Sequence, residues 1–168
     1  MARTTVEFPD GIVETIEATR TRGTIVCSSG KSGQNGMTIG WINIGSVWGR
    51  PVCTVLIRES RHTHKIIESA DSFTVSVLPE ELQDAVDLFG SESGRDMDKF
   101  AAAKVTPEEG SVVASPYIAE ADLVIECKIA LSQPMDPNLI RAAFVKSAYP
   151  DGDYHTIYYG EIVAIHRK

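Results

Sequence analysis

What most limits the folds open to this sequence is a series of short runs rich in β-branched residues, punctuated by glycine, proline and small polar residues. Residues 24–28 form one such run; Ser29-Gly30-Lys31-Ser32-Gly33 follows, and residues 37–44 resume the apolar character, a strand, turn, strand pattern. Residues 52–57 are nearly continuous β-forming sequence after Pro51 and stop at Arg58-Glu59-Ser60-Arg61. Residues 72–78 alternate, predicting one buried and one exposed face, and 122–131 and 155–165 complete the strand-like set. Several connections are too short for parallel crossovers, so the pairing should be mostly antiparallel.

Between these runs the period changes. Residues 61–70 read as a short helix with Ser60 as its cap. Pro79 opens a helix whose face is Leu82, Val86 and Phe89 and whose stop is Gly90; a second helix fits 96–104, with Asp96 at its start, and a helical turn fits 138–146. About six strands with three or four short helices predict a mainly β protein with short helices, a small antiparallel β-barrel. At 168 residues, 43% of them hydrophobic, this is one domain over 1–168, with 1–20 as an N-terminal arm and 134–152 as an inserted excursion.

Charge and cysteine content narrow the function. Sixteen Lys and Arg against 23 Asp and Glu give a net charge of −7, which argues against nucleic acid as the main partner, so any anion site must be local. Cys27, Cys53 and Cys127 lack paired spacing and read as reduced, buried thiols rather than metal ligands. The N-terminus lacks the apolar stretch of a signal peptide and no segment approaches the ~20 apolar residues of a membrane span, so a cytoplasmic location is expected.

The strongest chemical cluster is Arg58-Glu59-Ser60-Arg61-His62-Thr63-His64-Lys65, placed where a strand hands over to a helix. Free N–H groups, the helix dipole, Ser60 and Thr63 would all favour a phosphate there. The alternative is a solvated helix start whose cations pair with Glu59 and Glu68. His62 and His64 point apart on a helix, which disfavours a metal. Gly30-Lys31-Ser32 matches the end of a phosphate loop, but the first glycine of that pattern would fall at Ile25. Along Asn35-Gly36-Met37-Thr38-Ile39-Gly40-Trp41 a flat aromatic ligand could lie against backbone near Gly40; equally, Trp41 could sit in a core. The loop Ser91 to Phe100 could supply N–H groups, Arg95 and Lys99 to a ligand, or be a capped surface helix. No nucleophile elbow or hydrolytic carboxylate pair stands out, so an enzyme of this sequence would need a borrowed cofactor.

Four segments in order resemble the flavin reductase-like, flavoredoxin-type family of FMN-binding split-barrel proteins: Asn35 to Trp41, Arg58 to His64, Ser93-Gly94-Arg95-Asp96-Met97-Asp98-Lys99-Phe100, and His155-Thr156-Ile157-Tyr158-Tyr159-Gly160-Glu161-Ile162. The resemblance implies a homodimer of six-stranded antiparallel split barrels holding FMN non-covalently. Asn35, Thr38, Ile39, Gly40 and Trp41 would line the ring and ribityl chain, and Arg58, Ser60, Arg61 and Thr63 would hold the phosphate. Ser93, Gly94, Arg95 and Lys99 would close over the flavin, and His155 would approach it from the last strand. The implied function is an FMN-dependent oxidoreductase passing electrons from NAD(P)H or a redox partner protein to a flavin, metal or protein acceptor. The alternative is an FMN-binding electron carrier without NAD(P)H turnover of its own, and a blander one an interaction domain that takes up no FMN.

Overall fold

The structure, a computed structural model, describes residues 3–168; Met1 and Ala2 of the expected arm lie outside the described residues. In chain order the strands are β1 (Thr4–Val6), β2 (Thr24–Gly30), β3 (Gly33–Ile39), β4 (Ile42–Val47), β5 (Arg50–Arg58), β6 (Ser72–Val77), β7 (Pro107–Glu108), β8 (Tyr117–Ile118), β9 (Leu123–Pro134) and β10 (His155–Arg167). The helices are α1 (Ile12–Thr21), α2 (His62–Ile67), α3 (Gln83–Ser91), α4 (Lys99–Ala103) and α5 (Ala143–Ser147). None is long and apolar enough to cross a membrane.

Every pairing is antiparallel, and the main sheet runs β3-β2-β6-β9-β10-β5-β4 with β1 added on β10. This corrects the expected six-stranded barrel: the main sheet has eight strands, and its hydrogen-bonded path ends at β3 and β4 without closing. Two local causes account for the difference. The apolar run over 37–44 is broken at Gly40-Trp41 into β3 and β4, and three residues near the N-terminus pair with the end of β10, Thr4 opposite Arg167. β10 is the axis of the sheet; β5 pairs with its first half and β9 with nearly its whole length. It bends at two register shifts, one at Tyr159/Gly160. A Cβ at Gly160 would lie 2.6 Å from the Phe73 ring and 2.7 Å from Cys127 Cβ, so only glycine fits the bend.

The core fills the inner face, with Val26, Val55, Phe73, Val75, Ile125, Tyr158 and Ile165 all at most 2% exposed. A second cluster, around Ile25, Phe89, Ile118 and Val124, seals the outer face of β2, β6 and β9 against α3 and α4. β6 is therefore buried on both faces, not one. Its polar residues are satisfied by segment 115–118: Thr74 Oγ1 donates to the Pro116 carbonyl at 2.6 Å and Ser76 Oγ accepts from Ile118 N at 3.1 Å.

Three helix boundaries also move. Gly90 does not stop α3, which runs to Ser91. α4 is capped by Asp98 rather than Asp96, its carboxylate accepting from Phe100 N and Ala101 N, and α2 has Arg61 rather than Ser60 at its cap position. Residues 12–21, read as part of an arm, form α1, which packs on the sheet through Ile12, Thr15, Ala18 and Thr19. The three cysteines are buried and free.

Candidate functional site

The sequence brings four breaks in regular structure to one end of the sheet. β3 ends at Ile39, β5 ends at Arg58 directly across from His155 at the start of β10, α2 begins at His62, and the α3–α4 loop crosses at 92–98. Two cavities open there. The larger, about 400 Å³, is lined by Thr38, Ile39, Gly40 and Trp41 along one side and by Arg58, Ser60, Arg61 and His155 along the other. The smaller, about 140 Å³, is lined by Asn35, Thr63, Ser93, Gly94, Arg95 and Lys99, and shares Ser60 and Arg61 with the first. Every residue singled out from the sequence for the site lines one of the two.

Positive charge concentrates in the small cavity, three cations against the one lining carboxylate, Glu92. Arg61 Nη2 donates to the Gly90 carbonyl at 2.9 Å, Arg95 Nη2 to the Ser60 carbonyl at 3.0 Å, and Lys99 Nζ to Phe89 and Glu92 carbonyls at 3.0 and 3.3 Å. None of the three makes a carboxylate ion pair among the described residues. Of the expected alternative, pairing with Glu59 and Glu68, one contact is found among the described residues, His64 Nε2 at 3.8 Å from Glu68 Oε1, and Glu68 also accepts from Tyr158 OH at 2.5 Å. Lys99 is 3% exposed, and burial followed by the nearby Arg61 charge brings its ammonium down to about 8. His62 Nδ1 is buried with no partner, and burial, then Arg95, keep that ring below its usual value. α2 is only six residues long, so the attraction for an anion comes from these side chains more than from a helix dipole.

The floor is rigid. Asn35 Nδ2 donates to Thr63 Oγ1 at 2.9 Å, both buried, and Thr38 Oγ1 donates to the Val86 carbonyl. A Cβ at Gly94 would fall on Asn35 Cγ at 2.8 Å and His62 Cδ2 at 2.9 Å, so the loop can pass this close only as glycine.

The strap 148–154 is the part the sequence concealed. Arg58 donates to the Asp153 and Ala148 carbonyls at 2.9 and 3.1 Å, with its guanidinium 5.0 Å from the Tyr149 ring centroid. The Asp153 carboxylate takes both Ser60 N and Ser60 Oγ, at 3.1 and 2.7 Å, which is why Ser60 does not cap α2. His155, 8% exposed, shares a 2.7 Å hydrogen bond with Tyr149 OH; burial, then the Arg58 charge, push its ring down to about 4, so it is neutral at pH 7. Trp41 is 47% exposed, its ring 5.1 Å from that of His155, so it lines the cavity and is not core. Met37, Leu56, Asp153, His62 and Glu92 also line the cavities. Met37, His62 and Glu92 fall inside segments already singled out from the sequence for chemistry, whereas Leu56 and Asp153 lie outside them.

The model of the flavin reductase-like domain matches residues 18–168. High molecular weight rubredoxin from Moorella thermoacetica is 34% identical over 87 residues, which is 51% of this chain but only 36% of that protein, so this chain spans well under half of that relative. The flavoredoxin of Desulfovibrio vulgaris (Miyazaki F) superposes with a TM-score of 0.70 at 25% identity, covering 88% of this chain and 70% of that one. An FMN-binding domain of a flavin reductases-like enzyme from Shewanella baltica OS155 shares the fold, with a TM-score of 0.68 at 18% identity over 99% of this chain and 77% of that one.

Proposed function

The chain belongs to the flavin reductase-like domain family, and from that premise we propose that it holds FMN non-covalently in the paired cavities and acts as an FMN-dependent oxidoreductase. One observation carries the reading: three cations, Arg61, Arg95 and Lys99, converge on a cavity of about 140 Å³ with no carboxylate partner, beside a larger cavity walled by Gly40 and Trp41. The residues fit the group. A pocket with three cations against one carboxylate matches a phosphate monoester, the orphaned His62 Nδ1 offers it a further polar atom, and nothing lies within 4 Å of where a Gly40 Cβ would be, which leaves bare backbone for a flat ring.

In this reading Arg61, Arg95, Lys99, Thr63, Ser93 and Gly94 hold the phosphate, and Asn35, Thr38, Ile39, Gly40 and Trp41 line the ribityl chain and ring. Arg58 and Ser60 hold the 148–154 strap against the site through Asp153. Bound flavin supplies hydride and electron transfer. The chain's own contribution is positional and electrostatic: Gly40 leaves backbone open to the ring, Met37 and Leu56 exclude water beneath it, and neutral His155 presents a ring without charge. The reading also takes 1–168 as one domain working as a homodimer, to be tested by mass in solution.

Protein saturated with FMN should show a flavin spectrum and oxidise NAD(P)H in the steady state when given a flavin or redox-protein acceptor. Arg61→Ala and Lys99→Ala should each weaken FMN binding by roughly 10–100-fold, the loss of one charged hydrogen bond; unchanged affinity in both would remove the site. The likeness to a flavoredoxin and to high molecular weight rubredoxin favours a second reading, an electron carrier reduced by a partner protein. It predicts a flavin that is reduced by a redox protein but never turned over by NAD(P)H.

A further inference from the structure

His155 lines the larger cavity, and its neutral ring carries a single proton that can sit on either nitrogen. We propose that Tyr149, which lines neither cavity, is the positioning residue that decides between them: it holds His155 as the tautomer protonated on Nε2, so that one fixed N–H donor faces the cavity. What that donor meets rests on the reading of the cavity as a flavin site; the tautomer itself does not.

The hydrogen bond between Tyr149 OH and His155 Nδ1 is buried and 2.7 Å long, and it can run in two directions. In one, the phenol donates to Nδ1 and the imidazole proton sits on Nε2. In the other, Nδ1–H donates to the phenol oxygen, whose own proton must then go to Met135 Sδ, 3.1 Å away. Three observations select the first. A thioether sulfur is a weak acceptor and an unprotonated imidazole nitrogen a good one, so the first direction makes the better bond and leaves over only a sulfur that needs no donor. The 2.7 Å separation suits a hydroxyl donor, being shorter than the roughly 2.9–3.0 Å usual for an N–H donor. Finally, burial keeps the Tyr149 phenol protonated while the opposing charge of Arg58, held 5.0 Å from its ring centroid by the Asp153 and Ala148 carbonyls, polarises the O–H and makes it the better donor.

The same geometry leaves Nε2 to the cavity. Nε2 makes no hydrogen bond among the described residues, yet it is not one of the enclosed polar atoms without a partner, which are Arg3 Nη1, Arg22 Nη1 and His62 Nδ1. A nitrogen neither bonded nor enclosed, on a residue only 8% exposed, opens into the space that residue lines. The imidazole is held from two sides, by the Trp41 ring at 5.1 Å and by the edge-on Tyr149 ring at 5.5 Å, and its carbonyl accepts from Met135 N at 3.0 Å. An N–H fixed there favours whichever form of a bound flavin carries more negative charge, the reduced one, and does so without a charge of its own.

Two-bond proton–nitrogen correlation spectra of the apoprotein at pH 7 read the tautomer directly, with the His155 signals assigned by their loss in His155→Phe. The wild type should show Nε2 protonated and Nδ1 bare. Tyr149→Phe, which keeps the ring beside Arg58 and removes only the hydroxyl, should move both nitrogens towards the averaged shifts of an imidazole exchanging between tautomers. In the FMN-loaded protein, the ratio of reduced to oxidised FMN affinity, measured as the midpoint potential, should fall by at least about threefold in Tyr149→Phe. It should fall at least as far in His155→Phe, and no further when the two substitutions are combined. A wild-type His155 protonated on Nδ1, or a Tyr149→Phe variant in which either the tautomer or the ratio is unchanged, overturns the proposal while leaving the flavin site standing. The expected tautomer in a protein that binds no FMN overturns the flavin reading and the donor's role in it, and leaves the Tyr149–His155 pair as assigned.

Discussion

Lys99 is a cation placed where water is scarce, and that placement has a direction in pH. Its ammonium is held near 8, mainly by burial. An anion beside Nζ favours the protonated form, so above pH 8 the empty protein must take up a proton in order to bind. FMN affinity should therefore fall as pH rises from 7 to 9.5, by at least about threefold in fluorescence titrations, and Lys99→Met should flatten the trend. The stability of the ligand-free protein should slope the other way. Between about 8 and the unfolded value of 10.5 the unfolded chain binds more protons at this lysine, so its contribution grows with pH across that window.

At the scale of elements, positions that look ordinary in sequence are fixed by neighbours far along the chain. Glu126 on β9 is fully buried, and its carboxylate accepts from Ser111 N and Oγ, Val112 N, Val113 N and His166 Nε2. Burial alone would raise its carboxyl, but the N–H of Val112 and the Ser111 groups outweigh it and hold the pKa below the usual range. Glu126→Gln replaces one accepting oxygen by a donor facing donors and should cost roughly 1.5–3 kcal/mol by denaturant melts, with the 111–113 segment losing hydrogen-exchange protection. Gly160→Ala, forced against Phe73 and Cys127, should cost about 1–3 kcal/mol. The same logic explains which elements the sequence revealed. Residues 52–57 and 155–165 were legible because a strand run is a local property. The burial of Ser72, Thr74 and Ser76 was not, because the segment that satisfies them lies some forty residues away. Ser60, by every local rule a helix cap, is instead claimed by Asp153.

For the whole molecule, the sheet's openness and strand count depend on pairings that no local pattern contains. Three residues of β1 find the end of β10 more than 150 positions later, and the hydrogen-bonded path stops at β3 and β4. The candidate site was more legible than the topology, because its parts are charged or glycine-rich clusters that sit at the ends of strands. Asn35 to Trp41, Arg58 to Thr63, Ser93 to Lys99 and His155 all converge at one end of the sheet. What the clusters could not reveal was the strap, whose Asp153 and Tyr149 gain their roles only once the chain returns over Arg58.

The central claim is that the two adjoining cavities form one flavin site, phosphate end and ring end. Crystals soaked in FMN test it most directly. The account predicts a phosphate peak among Arg61, Arg95 and Lys99, continuous with planar density along Gly40 and Trp41. Cavities filled only by water at saturating FMN, or flavin bound elsewhere, as in the groove between Arg22 and Asp87, would contradict it.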